Sequence, residues 1–123
     1  MSTMNPSETA QTDIADDRRQ TRIHCRLTVQ LSANGIIDSG VCWNLSETGM
    51  FIACDSSDFP QGEIIDFSLV LSDQCPVLID GIGRIVWVNP VKTDSGLPPG
   101  IGVHFERIDE ADAAAIMRFI HAG

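Results

Sequence analysis

Apolar and polar residues alternate strictly along residues 23–31, IHCRLTVQL. A period of two residues over such a stretch is typical of a β-strand with one buried face. Asn34-Gly35 follows a few residues later, and this dipeptide strongly favours a tight hairpin turn. A second strand is therefore predicted over about 36–43, antiparallel to the first.

The rest of the chain predicts further short strands, separated by segments rich in Gly, Pro, Asn and Asp. These strands are expected at about 50–54, 65–71, 77–89 and 100–105. Gly81 and Gly83 indicate a bulge or bend of the kind that helps a sheet close.

The C-terminal segment has a helical period instead. Asp109 is a candidate N-cap, and Asp112 lies three residues further on, close to a capping box. Apolar residues then recur at the spacing of one helical face: Ala113, Ile116, Met117 and Ile120. Six or seven antiparallel strands with a terminal helix predict a small closed barrel or a sandwich, with the helix packed on it.

Length and composition indicate one folded domain. The chain has 123 residues, enough for a single core. Residues 1–16 are polar without an apolar period, so they are predicted to form a disordered tail ahead of a domain over 17–123. No apolar run approaches the roughly 20 residues of a membrane span. The N-terminus lacks the features of a secretory signal, so a cytoplasmic location without membrane insertion is expected.

The net charge of the chain limits the kinds of ligand that it can bind. The chain carries 8 Lys+Arg and 17 Asp+Glu, a net charge of -9, which argues against binding a nucleic acid polymer. Three arginines nevertheless cluster where the tail meets the first strand: Arg18, Arg19 and Arg22. They could form a solvated linker, a protein-docking patch or an anion site. The last is chemically apt because guanidinium makes bidentate contacts with phosphate and with the guanine edge.

A second polar segment, NLSETG at 44–49, follows the second predicted strand. Asn44 offers an amide that donates and accepts, and Ser46 offers a hydroxyl. Gly49 allows close approach of the backbone or a positive φ. Taken alone, the segment is equally well explained as a polar turn between strands.

The sequence gives little indication of a catalytic, metal or redox site. The four cysteines, at positions 25, 42, 54 and 75, include no C-x-x-C pair and are interpreted as buried apolar residues. Ser46 has no evident His–Asp partners, so no catalytic residue is predicted. No metal site and no cofactor are expected.

The order of the two polar segments is more specific than either alone. An R-x-x-x-R motif (18–22) before the first strand and an N-x-S-x-x-G motif (44–49) after the second resemble the paired signature of the PilZ domain family. The similarity extends through GRIVWV (83–88) and GIGVHF (100–105) to the terminal helix, over about residues 16–121.

The resemblance implies a mainly β fold, a six-stranded antiparallel barrel with a C-terminal helix, and binding of cyclic di-GMP without catalysis. By residue-to-residue correspondence, Arg18 and Arg22 would hold phosphates and guanine edges, and Arg19 would add a contact. Asn44, Ser46 and Gly49 would line the barrel surface under a guanine. Trp87 is a candidate stacking neighbour, although an aromatic residue on a barrel needs no such role.

The expected function is therefore that of a cyclic di-GMP receptor in bacterial second-messenger signalling, of the kind that governs motility and biofilm formation. The ligand would order residues of about 10–22 over the barrel and change binding to an unidentified downstream protein. The main alternative is a PilZ-like adaptor in motility or pilus function that binds no ligand. A hydrolase is the third and least favoured class.

Overall fold

The computed structural model describes residues 22–55, 59–71, 77–91 and 96–122. The tail predicted over 1–16 lies outside these residues, as do Arg18 and Arg19. The described elements, in chain order, are β1 (Ile23–Ala33), β2 (Ile36–Leu45), β3 (Gly49–Ala53), β4 (Ile64–Val70), β5 (Leu78–Asn89), β6 (Gly100–Ile108) and α1 (Glu110–Ala122).

The strands form a closed barrel in the order β1-β2-β3-β6-β5-β4. All neighbouring strands are antiparallel, including the β1–β4 pair that closes the barrel. The predicted closed barrel with a C-terminal helix is confirmed, and the sandwich alternative is wrong. Closure pairs the strand edges that an open sheet would leave exposed.

The β1–β2 hairpin forms as its sequence predicts. Asn34 has φ of 52° and Gly35 has φ of 82°, the pair of positive values that a type I′ turn needs. The register then runs back from the Ala33–Ile36 pair. The predicted irregularity in β5 is also present, since the β5–β6 register shifts between Ile82 and Gly83.

The interior of the barrel is filled by the apolar side chains that alternate inward along each strand. Each of the six strands contributes a fully buried side chain: Val29, Leu45, Ile52, Leu69, Ile79 and Ile101. Side chains of this size contribute about 1.5–3 kcal/mol each when removed from water.

α1 joins this core through Ile116 and Ile120, which are 1% and 3% exposed. The sequence pattern assigned Ala113 and Met117 to the same face, but both are exposed, Met117 to 40%, so these two assignments are wrong. The helix is rotated so that Ala115 and Phe119 pack beside the two isoleucines. The α1 helix does not reach the length and apolar character that crossing a lipid bilayer requires.

Candidate functional site

The two polar motifs meet at the junction of β1 and β2. Arg22 directly precedes β1, and Asn44 is the last residue but one of β2. Because His24 pairs with Asn44, the start of β1 lies beside the end of β2. The Arg22 Nη1 atom donates a hydrogen bond to Asn44 Oδ1 at 2.5 Å. A guanidinium has five N–H donors, so this bond positions Arg22 and leaves donors for an anion.

Ser46 organises the turn that follows Asn44. Its side chain is fully buried, at 0% exposed. The Ser46 N–H donates to the Gly49 carbonyl at 2.9 Å, and the Ser46 hydroxyl donates to the same carbonyl at 3.3 Å. The hydroxyl also accepts from the Thr48 N–H at 3.3 Å. Ser46 therefore fixes the shape of the turn, and its contact with a ligand stays a prediction.

Gly49 is needed because the backbone of β6 comes very close. A Cβ atom at this position would collide with the carbonyl oxygen of Val103. The described glycines with positive φ are Gly35, Gly62 and Gly96, so the left-handed conformation is not the reason for glycine at position 49. Close packing of β3 on β6 is the reason, and it sets where the turn begins and ends.

A row of paired residues leads from Asn44 around the outside of the barrel. Asn44 pairs with Phe51, Phe51 with Gly102, and Gly102 with Trp87. The Phe51 and Trp87 rings meet edge to face, with centroids 5.3 Å apart and planes at 64°. Trp87 lies over Gly102 and is 44% exposed. Three strand spacings separate Trp87 from Asn44, about 14 Å along the sheet.

A sequence model of the PilZ domain family matches residues 16–122 of this chain. The chain belongs to the PilZ domain family. A comparison with curated proteins found no significant match.

Three solved structures share the PilZ-type fold. The Bacillus subtilis inhibitor of motility MotI/DgrA aligns with a TM-score of 0.73 and 15% identity, over 85% of this chain and 50% of that one. The PilZ domain of YcgR from Escherichia coli, solved with c-di-GMP, aligns with a TM-score of 0.64 and 14% identity. The alignment covers 87% of this chain and 91% of that one. The PilZ domain of CeSA from a cellulose-synthesizing bacterium aligns with a TM-score of 0.53 and 20% identity. The alignment covers 82% of this chain and 95% of that one. The chain thus spans about half the length of the motility inhibitor.

Within this PilZ domain, the structure brings together some of the predicted site residues. Arg22, Asn44, Ser46 and Gly49 form one continuous group at the β1–β2–β3 edge. Trp87 belongs to the same outer row and lies three strand spacings from Asn44. A ligand that contacts both Arg22 and Trp87 must therefore span the intervening strands.

Sequence reasoning missed a second exposed cation on this face. The guanidinium carbon of Arg26 lies 4.3 Å from the centre of the Trp43 ring, a cation–π contact. Arg26 is exposed on β1 on the same side as His24. The alternation along residues 23–31 already placed both on the polar face, but only the register brings Arg26 beside the residue that precedes Asn44.

The turn is also tied to the terminal helix. His121 Nε2 of α1 lies 3.4 Å from Glu47 Oε2. Both side chains are partly exposed, so the pair contributes little stability. Among residues 22–55, 59–71, 77–91 and 96–122, no group of three or more His, Cys, Asp and Glu side chains is placed to hold a metal ion.

Proposed function

We propose that this PilZ protein is a cytoplasmic receptor for cyclic di-GMP, which acts without catalysis by binding a downstream protein. The observation that carries the proposal is the Arg22–Asn44 hydrogen bond, which joins the two halves of the family signature on the outer surface of the barrel. Membership of the family and the neighbouring E. coli PilZ domain solved with c-di-GMP support the choice of ligand.

The charge distribution favours a small dianion over a polymer. With a net charge of -9, the whole protein repels polyanions, so binding must depend on a local concentration of cations. Arg22 and Arg26 supply such charges on one exposed face, at the first strand. A cyclic dinucleotide offers two phosphates for the guanidinium groups and two guanines that can stack on aromatic or guanidinium faces.

Arg22 also limits where the rest of the arginine motif can act. Asn44 holds Arg22 against the barrel, and Arg18 is four residues away in the sequence. A fully extended chain of that length spans about 14 Å. Arg18 and Arg19 can thus reach a ligand lying on the outer face between Asn44 and Trp87. We propose that the ligand orders residues of about 10–22 across this face, creating the surface that the downstream protein recognises.

Isothermal titration with cyclic di-GMP tests the receptor proposal. The wild-type protein should give heat of binding, and Arg22→Ala should lose it. Arg118→Ala is the matched control because Arg118 is exposed on α1 and should leave binding unchanged. The molar ratio gives the number of ligand molecules, and chromatography of the recovered ligand should show that it is intact.

Two outcomes would count against the proposal. Absence of heat with folded wild-type protein would overturn the receptor function and favour an adaptor that works through protein contacts alone. Equal loss of binding in Arg22→Ala and Arg118→Ala would show that net charge, and not the site, governs binding.

A further inference from the structure

A bulge at the edge of the candidate site brings two cysteines together. The β1–β2 register passes from the His24–Asn44 pair to the Leu27–Cys42 pair. Two residues of β1 therefore oppose a single residue of β2, which is the arrangement of a β-bulge. One of these residues is Cys25, and its Sγ atom lies 3.7 Å from the Sγ atom of Cys42. Both are free thiols.

The two thiols differ in access and in hydrogen bonding. Cys42 is fully buried, whereas Cys25 is only partly buried. The Cys25 thiol lies 3.4 Å from the Cys42 carbonyl, and the Cys42 thiol lies 3.2 Å from the Asn44 carbonyl, each as donor. Cys25 is therefore the more accessible of the two residues to a small reagent.

The same geometry separates their acidities. When Cys25 ionises, the single thiol hydrogen of Cys42 can turn from the Asn44 carbonyl to the Cys25 sulfur. This hydrogen bond lowers the pKa of Cys25 by more than burial raises it. That hydrogen bond raises the pKa of Cys42, and burial raises it further. The accessible sulfur is thus the one that ionises, and the thiolate is the reactive form of cysteine.

We propose that Cys25 and Cys42 are an oxidation site, a dithiol that hydrogen peroxide converts to an intramolecular disulfide. The Cys25 thiolate attacks one peroxide oxygen, the O–O bond breaks, and Cys25 becomes a sulfenic acid while the other oxygen leaves as water after taking a proton. The Cys42 sulfur then attacks Cys25 Sγ. The S–S bond forms, the S–O bond breaks, and the hydroxyl leaves with the Cys42 proton as a second water.

The required movement is small. The sulfur atoms must approach from 3.7 Å to a bond length of about 2.05 Å, and both side chains already point into the same gap. Oxidation also removes the thiol hydrogen that Cys42 donates to the Asn44 carbonyl. The modification therefore alters the backbone that carries Asn44, the partner of Arg22.

The test uses the full chain carrying Cys54→Ser and Cys75→Ser, so that only the two proposed partners remain. Hydrogen peroxide should remove both titratable thiols together, lower the intact mass by two hydrogen atoms, and leave the chain monomeric on a non-reducing gel. Dithiothreitol should restore both thiols. The rate should rise with pH as Cys25 ionises, with a midpoint below the pKa of an unperturbed cysteine.

Single substitutions separate the two roles. With Cys25→Ser, the remaining Cys42 should resist the same peroxide treatment, and with Cys42→Ser the remaining Cys25 should gain oxygen atoms. Peptide mapping of the oxidised wild-type protein under non-reducing conditions should recover the 25–42 linkage, which needs no substitution at all. Survival of both thiols, or disulfides only between chains, would overturn the proposal.

Coupling to the ligand rests on the proposed function, whereas the disulfide does not. Oxidised protein should bind cyclic di-GMP with a higher Kd, because Asn44, the partner of Arg22, loses a hydrogen bond at its own backbone carbonyl. Unchanged affinity would refute the link through Asn44. If the reduced protein binds no ligand but still forms the disulfide, the receptor function fails and the oxidation site stands.

Discussion

Replacement of Ser46 by alanine should weaken the fold as well as the site. The serine hydroxyl donates to the Gly49 carbonyl and accepts from the Thr48 N–H, both at 3.3 Å. Two hydrogen bonds of this length contribute about 1–2 kcal/mol together. The Gly49 carbonyl keeps its bond from the Ser46 N–H, so it is not left without a donor. For a chain of this size the loss corresponds to a fall in Tm of roughly 4–10 °C.

The measurement is thermal unfolding followed by circular dichroism, combined with titration of cyclic di-GMP. Ser39→Ala is the matched control, since Ser39 is exposed on the same strand as Asn44 and its replacement should change stability by less than about 0.5 kcal/mol. We expect Ser46→Ala to weaken binding less than Arg22→Ala does. An unchanged Tm together with complete loss of binding would refute the reasoning, because it would make Ser46 a ligand contact without a role in the turn.

Three further predictions concern the packing around the site. Gly49→Ala should lower stability by about 1–3 kcal/mol in urea unfolding, because its Cβ meets the backbone of β6; stability equal to wild type would contradict this contact. Ile116→Ala should lower the free energy of unfolding by about 2–5 kcal/mol because Ile116 is buried, whereas Met117→Ala should lower it by less than about 0.5 kcal/mol because Met117 is exposed. Equal effects of the two substitutions would refute the observed rotation of the helix. Trp87→Ala should keep the fold and, if a guanine stacks there, weaken binding by about 1–3 kcal/mol in titration; unchanged affinity would exclude that role.

The barrel could be predicted because its strands bury one face each. Alternation over 23–31 marks β1, which in the structure continues to Ala33, and the turn residues at 34–35 fix its hairpin. The orientation of α1 could not be predicted in the same way. Ile116 and Ile120 belong to two overlapping apolar faces, one with Met117 and one with Phe119. Packing on the barrel decides between them: Phe119 packs against the core, whereas Met117 is 40% exposed.

The candidate site was only partly accessible to sequence reasoning. Arg22 and Asn44 are 22 positions apart, and only the strand register brings them into hydrogen-bonding distance. The family resemblance anticipated this meeting, whereas spacing alone left it open. The Cys25–Cys42 contact had no sequence signal, because the bulge that creates it interrupts the β1–β2 register without disturbing the apolar alternation.

The arginine cluster in an acidic chain now has a structural explanation. Net negative charge disfavours long polyanions everywhere on the surface, but screening limits that repulsion to about 8–10 Å at physiological salt. Within that distance, a ligand beside Arg22 is influenced mainly by the charges nearest to it, and Arg22 itself is one of these. Asn44 holds Arg22 in place with a neutral acceptor, which leaves the positive charge of the guanidinium uncompensated by this partner. An aspartate at position 44 would hold the arginine more strongly but would cancel part of the charge that an anion requires. Asparagine at position 44 therefore favours binding of a phosphate-bearing ligand over a stable internal ion pair. The Asn44→Asp variant should bind cyclic di-GMP through fewer phosphate contacts. Its affinity should therefore depend less on salt in titrations at increasing ionic strength. An unchanged or steeper salt dependence would show that Arg22 does not engage the phosphates.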